Sequence, residues 1–104
     1  DRLDYTYTQR AWRDGWHRFR GNARPSEFFH RNVFLSFQED DLGVRDRALI
    51  GVDQLMWGSD YPHTESTFPR SRKILERILA GVPDDQQRAI TRSTAARLYG
   101  FELE

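Results

Sequence analysis

Two short apolar runs, each cut off by polar or acidic residues, most restrict what this sequence can form. Val33-Phe34-Leu35-Ser36-Phe37 is β-branched, aromatic and nearly all apolar, and it stops at Gln38-Glu39-Asp40-Asp41. Leu55-Met56-Trp57-Gly58-Ser59 stops at Asp60. Such runs suit strands covered on both faces, as in a parallel sheet beneath helices. Between them, Val44 to Ile50 fits a short helix, with Asp40 or Asp41 near its start, where acidic groups suit the helix dipole. Val33 and Leu55 stand about 22 residues apart, the rhythm of a βαβ unit.

The flanking segments read as helices. Leu3, Tyr7 and Ala11, then Trp12, Trp16 and Phe19, keep helical spacing, and the pattern predicts a helix to about Arg13. Gly21, Asn22 and Pro25 mark a loop, and Pro25-Ser26-Glu27-Phe28-Phe29 a helical turn whose rings pin that loop down. Tyr61 to Pro69 is a loop held by two prolines. Arg70 to Ala80 is amphipathic, with Ile74, Leu75, Ile78 and Leu79 on one face and Arg72, Glu76 and Arg77 away from it. Gly81 and Pro83 close it; Asp84 or Asp85 caps a last helix that bends near Ser93-Thr94 and ends at Gly100. Two parallel strands alone do not complete a sheet, so the expected class is α/β with further strands elsewhere.

Composition narrows the function. The 16 basic side chains balance 16 acidic ones, which excludes an overall basic nucleic-acid binder. No apolar run approaches the ~20 residues of a membrane span, and no N-terminal stretch has a signal peptide's apolar centre. No membrane partner and a cytoplasmic location are the expectations. With no cysteine, disulfides, thiolate metal sites and cysteine nucleophiles are excluded. Met56 is the only methionine, so Asp1 is expected to follow a removed leader or to lie inside a longer protein.

Trp57-Gly58-Ser59-Asp60-Tyr61-Pro62-His63 is the strongest site candidate. Ligands of α/β sheets and barrels gather beyond the carboxyl ends of strands, and Asp60 stands at such an end. A carboxylate there holds a divalent metal or takes a proton from metal-bound water. The alternative is an Asx turn at Asp60 with His63 in solvent. His63 either orients a substrate carboxylate and bonds Asp60, or only fixes the loop. Glu65 ties the same loop. Glu39 and Asp40 either position substrate at the pocket rim or compensate and cap the next helix. Basic and aromatic residues alternate from Arg10 to Arg24, a pattern that fits a single nucleic-acid strand or a protein partner. Packing of its rings against absent neighbours or a partner subunit, with the arginines in water, is the stronger reading, and no nucleic-acid partner is expected. His17 and His30 read as solvated.

The string Leu55 to His63, followed by Glu65-Ser66-Thr67 and Pro69, resembles the C-terminal part of the amidohydrolase-related metal-dependent hydrolases and decarboxylases. Pro25 to Phe29, the run Val33 to Phe37 with its acidic end, and Ala95-Ala96-Arg97-Leu98-Tyr99-Gly100-Phe101 support it. The resemblance implies that residues 1–104 form the C-terminal portion of a single TIM (β/α)8 barrel domain, with its last two parallel strands, the seventh and eighth, plus terminal helices. A barrel takes about 250 residues, roughly 30 per βα unit, so about two units are present and the N-terminal part of the barrel is missing.

The resemblance further implies a catalytic Asp60 that closes a divalent-metal site, zinc before other ions, with His63 beside it and a small molecule as substrate. The reaction would be hydrolysis of a C–N or C–O bond or non-oxidative decarboxylation of a small carboxylate, with a homo-oligomeric parent protein as a further expectation. Family members take their other ligands from a His-x-His pair on the first strand and from histidines on middle strands. His17, His30 and His63 form no such pair, so the chain alone is expected to be inactive. Thr94 stands where the family usually has Asn, and is expected to cap a helix in its place. Two other readings remain: a non-catalytic interaction module using residues 10–24, and a self-contained hydrolase built on Asp60, His63 and Glu65.

Overall fold

The computed structural model describes residues 2–11, 13 and 19–103. They fall into two compact units that divide after Val33.

In the first unit, helix α1 (Arg2–Arg10) and helix α2 (Pro25–Asn32) are joined through a 3-10 turn, Arg20–Asn22. Helix α1 stops short of the expected Arg13, and α2 runs three residues beyond the expected turn at Phe29. Pro25 fits the first helical position, where its missing N–H is no loss, and the Glu27 carboxylate accepts the Arg24 backbone N–H. Asp4 on α1 accepts from the Ser26 N–H at 2.8 Å and from the Ser26 hydroxyl at 2.5 Å. These two bonds hold its carboxyl below the usual value of 3.8. Phe19 stacks on Tyr7 at 5.2 Å and tilts against Phe28 at 4.7 Å, so the rings do pin the loop. Trp12, Asp14, Trp16, His17 and Arg18, and with them most of the basic-aromatic segment, lie outside the described residues.

The second unit contains two parallel strands, β1 (Leu35–Phe37) and β2 (Leu55–Trp57), paired Leu35 with Leu55, Ser36 with Met56 and Phe37 with Trp57. Each is shorter than its apolar run. The connection is helical, as a parallel crossover requires, but in two pieces: α3 (Asp41–Arg45) and α4 (Arg47–Ile50). The single helix expected over Val44–Ile50 breaks at Asp46, whose ψ of 12° leaves the helical range and whose carboxylate takes the Arg45 guanidinium at 2.9 Å. Asp40 does cap α3, accepting from the Gly43 N–H at 2.8 Å. A Cβ on Gly43 would stand 2.6 Å from the Asp40 Oδ2, so a larger residue there would have to turn this carboxylate.

Helices α5 (Ser71–Ile78), α6 (Asp84–Arg88) and α7 (Thr94–Tyr99) follow, with a π-helical turn, Ala89–Ser93, joining the last two. Ile78 and Leu79 join Val44, Leu55, Val82 and Ile90 in the core, and Ile74 and Leu75 pack against it, so the predicted apolar face of α5 is the buried one. Burying one such aliphatic side chain is worth about 1.5–3 kcal/mol, which outweighs any propensity term in so short a helix. Pro83, not Asp84 or Asp85, occupies the N-cap of α6; the two acids lie in its first turn without a capping bond and act only on the dipole. Gly100 ends α7 in the left-handed conformation, φ 72°.

Two expectations fail on burial. β2 is buried at Leu55 and Met56, but β1 is not covered on both faces: Leu35 is 39% exposed and Ser36 is open. Among the described residues β1 has one strand neighbour, β2, and nothing beyond it to cover its outer side. Thr94 does not cap a helix. The bend expected near Ser93-Thr94 is the π turn, which carries the helix through without a new start, so Thr94 is interior, fully buried, and its N–H bonds the Ala89 carbonyl. Its hydroxyl has no partner among the described residues.

A buried, unpaired hydroxyl costs about 1–3 kcal/mol. Thr94→Val is therefore expected to raise the urea unfolding free energy by about 1 kcal/mol; an unchanged or lower value would show that the hydroxyl is bonded. The Ser26 amide proton is expected to titrate with Asp4 at a midpoint below 3.8. Because the folded value is depressed, the Asp4 contribution is complete above the free carboxyl's range and fades as pH falls through the folded midpoint. A midpoint at or above 3.8 would deny the paired bonds.

Candidate functional site

Both strands end at one edge, and polar side chains gather there. Gln38 comes after β1 and Asp60 two positions after the Gly58 that ends β2's ladder with a 3.0 Å bond from its N–H to the Phe37 carbonyl. Ser36, Phe37, Gln38, Glu39, Gly58 and Asp60 line a cavity of about 440 Å³ at this edge.

Asp60 has φ 58°, a left-handed conformation that costs L-residues energy and that Asp and Asn tolerate best. A turn sustains it: its carbonyl accepts from the His63 N–H at 2.8 Å. The loop beyond is closed on Ser59, whose carbonyl accepts from the Thr67 N–H at 3.1 Å and the Ser66 hydroxyl at 2.7 Å. Thr67 is buried, and its hydroxyl pairs with that of Ser71 at 2.8 Å. The Asp60 side chain does not make the Asx turn considered as an alternative. Its Oδ2 accepts from Gln38 Nε2 at 2.9 Å, while Oδ1 faces no protein donor among the described residues.

His63 Nδ1 lies 3.6 Å from Asp60 Oδ2, too far for a hydrogen bond. The same nitrogen accepts from the Glu65 N–H at 3.3 Å. An accepting Nδ1 carries no proton, so the neutral ring holds its proton on Nε2. Glu65 thus ties the loop through its backbone.

Glu39 and Asp40 separate. Asp40 caps α3. Glu39 lines the cavity and is gripped by Arg77 of α5, whose guanidinium also reaches Asp41 at 2.8 Å. The Asp41 bond first and the Glu39 bond second raise the arginine's already high pKa. These side chains are about half exposed, where water and salt screen such pairs and they add little to stability. The clamp orients Glu39 more than it stabilises the fold.

Gln38 is the residue that sequence reading missed. Its carbonyl accepts from the Trp57 indole N–H at 2.8 Å, so the ring of β2 fixes the residue that steers the carboxylate of β2. The available signal was positional: Gln38 is the first polar residue after its strand, and Asp60 is the first charged one after the other.

Among the described residues, no three His, Cys, Asp or Glu side chains converge to hold a metal, which removes support for a self-contained site of Asp60, His63 and Glu65. The donors do fit one ligand position: a carboxylate with one oxygen oriented by an amide and the other open. Nor is any described helix long and apolar enough to cross a membrane.

A family model described as Amidohydrolase matches residues 38–101, from Gln38 through Asp60 to the end of α7. No curated protein matches the chain.

Trp57→Phe keeps the ring and deletes the donor to Gln38. It is expected to lower the unfolding free energy by about 0.5–1.5 kcal/mol in urea titration, and unchanged stability would mean that the indole N–H does not hold Gln38.

Proposed function

This chain belongs to the amidohydrolase family, and we propose that it forms the closing part of a (β/α)8 barrel that acts on a small molecule with a divalent metal. The reaction is hydrolysis of a C–N or C–O bond or non-oxidative decarboxylation of a small carboxylate. The observation that supports this best is the Gln38–Asp60 pair at the carboxyl edge of two parallel strands, above a cavity, where barrel enzymes place their chemistry.

In this reading the Asp60 carboxylate would hold the ion, with zinc the expected metal, and the remaining ligands would come from residues beyond this chain. When bound, such an ion polarises a substrate oxygen and lowers the pKa of water to about 7. Gln38 Nε2 orients the carboxylate, the task that outer hydrogen bonds perform for ligands generally. In hydrolysis, Asp60 Oδ2, which keeps a lone pair beside the Gln38 bond, takes up the proton of the attacking water. His63 presents its Nε2 proton to the substrate and orients it. Glu39, held by Arg77, forms a polar wall of the pocket.

Loss of a partner to a ligand costs about 10–100-fold, so loss of the ligand itself should cost more. In the enzyme that carries this chain, Asp60→Asn is expected to lower kcat/KM by at least about a hundredfold with unchanged circular dichroism, and dialysis against a chelator to remove activity that zinc restores. Near-wild-type turnover of Asp60→Asn would overturn the assigned role.

A further inference from the structure

Beside the Asp60 cavity lies a second concavity of about 300 Å³, lined by Glu39, Arg70, Lys73, Ile74 and Arg77. Glu39 lines both, so one side chain is the wall they share. Its three cations stand three and seven residues along one chain segment, the spacing that brings side chains to one helix face. Ile74 sits among them, with its apolar body against the core.

The three cations are not equivalent. Arg77 is occupied by Asp41 and Glu39. The side chains of Arg70 and Lys73 are exposed and bond no described residue. Three positive charges thus face two carboxylates, and two like charges remain one helical turn apart, an arrangement that repels. Arg70 is also the N-cap of α5 and makes no side-chain cap bond, so its guanidinium is not committed to the helix end. Unpaired cations and a concave shape favour one kind of occupant.

We propose that this concavity is a subsite for an anionic group, a carboxylate or a phosphate, held by Arg70 and Lys73. A molecule so held can reach past Glu39 into the Asp60 cavity, which makes the subsite a determinant of substrate charge. That last step rests on the function proposed above; anion binding itself does not.

The test is an amide-shift titration of the 104-residue chain at low ionic strength, with inorganic phosphate, acetate and glutarate as probes. Saturable shifts are expected at Arg70, Ser71 and Lys73, weakened at least about fivefold in the Arg70→Gln/Lys73→Gln double variant, as loss of paired charges predicts. Asp60→Asn should leave phosphate binding intact, which separates failure of the subsite from failure of the metal reading. Tighter phosphate than acetate assigns a phosphoryl group, and the reverse order a carboxylate. Glutarate, long enough to extend past Glu39, should also shift Gln38 and Gly58 in a manner lost in the double variant. Non-saturating shifts, or equal binding by the double variant with unchanged circular dichroism, would overturn the subsite. Shifts on α5 without any at Gln38 or Gly58 would overturn its link to the Asp60 cavity.

Discussion

The parallel pairing of β1 with β2 is the constraint on which the second unit depends. Antiparallel strands of the same sequences would send Gln38 and Asp60 to opposite ends of the sheet. Parallel register, Leu35 with Leu55 through Phe37 with Trp57, brings both to one end, close enough for a 2.9 Å bond. The helical crossover then follows from geometry, because a chain that must return to the same end needs a connection of a dozen or more residues. The core residues Val44, Leu55, Ile78 and Ile90 come from the crossover, the strand and the helices after it, so the same packing that buries β2 also fixes its direction.

Polar contacts across the edge then act in relay. Trp57 fixes Gln38, Gln38 turns Asp60, and the turn at His63 maintains the backbone conformation that aims the carboxylate. Arg77 connects the acidic stretch after β1 to the helix after β2, and so ties the two strand-helix units together at their rim. None of these bonds is individually strong. Their effect is directional: they select one orientation for groups that water would otherwise leave free to rotate.

Much of this was legible because it rests on periodicity and on residue types with a single habitual use. The apolar face of α5, the Asp40 cap, the Gly100 stop and Asp60's place at a strand end are of that kind. The failures have physical causes of another sort. Asp46 interrupts the crossover helix where its backbone leaves helical angles, a local choice that the hydrophobic pattern does not encode. Pro83 takes the cap that two aspartates suggested, since its position at the entry is decided by backbone angles. Thr94 looked like a helix start, but a π turn carries the chain through it, so the expected bend is present without a new helix N-terminus. The exposure of Leu35 depends on which neighbours stand beside β1, information that the run itself does not contain. Gln38 escaped notice because an amide draws attention only when its partner is known.

The missing side chain at Gly43 has an evolutionary corollary. A methyl group there would displace the Asp40 carboxylate, and without that carboxylate the glycine has nothing to accommodate. The constraint runs one way: a larger residue at position 43 has to turn the Asp40 carboxylate, whereas a change at Asp40 asks nothing of the glycine, so in descendants of this chain the glycine should follow the aspartate and not the reverse.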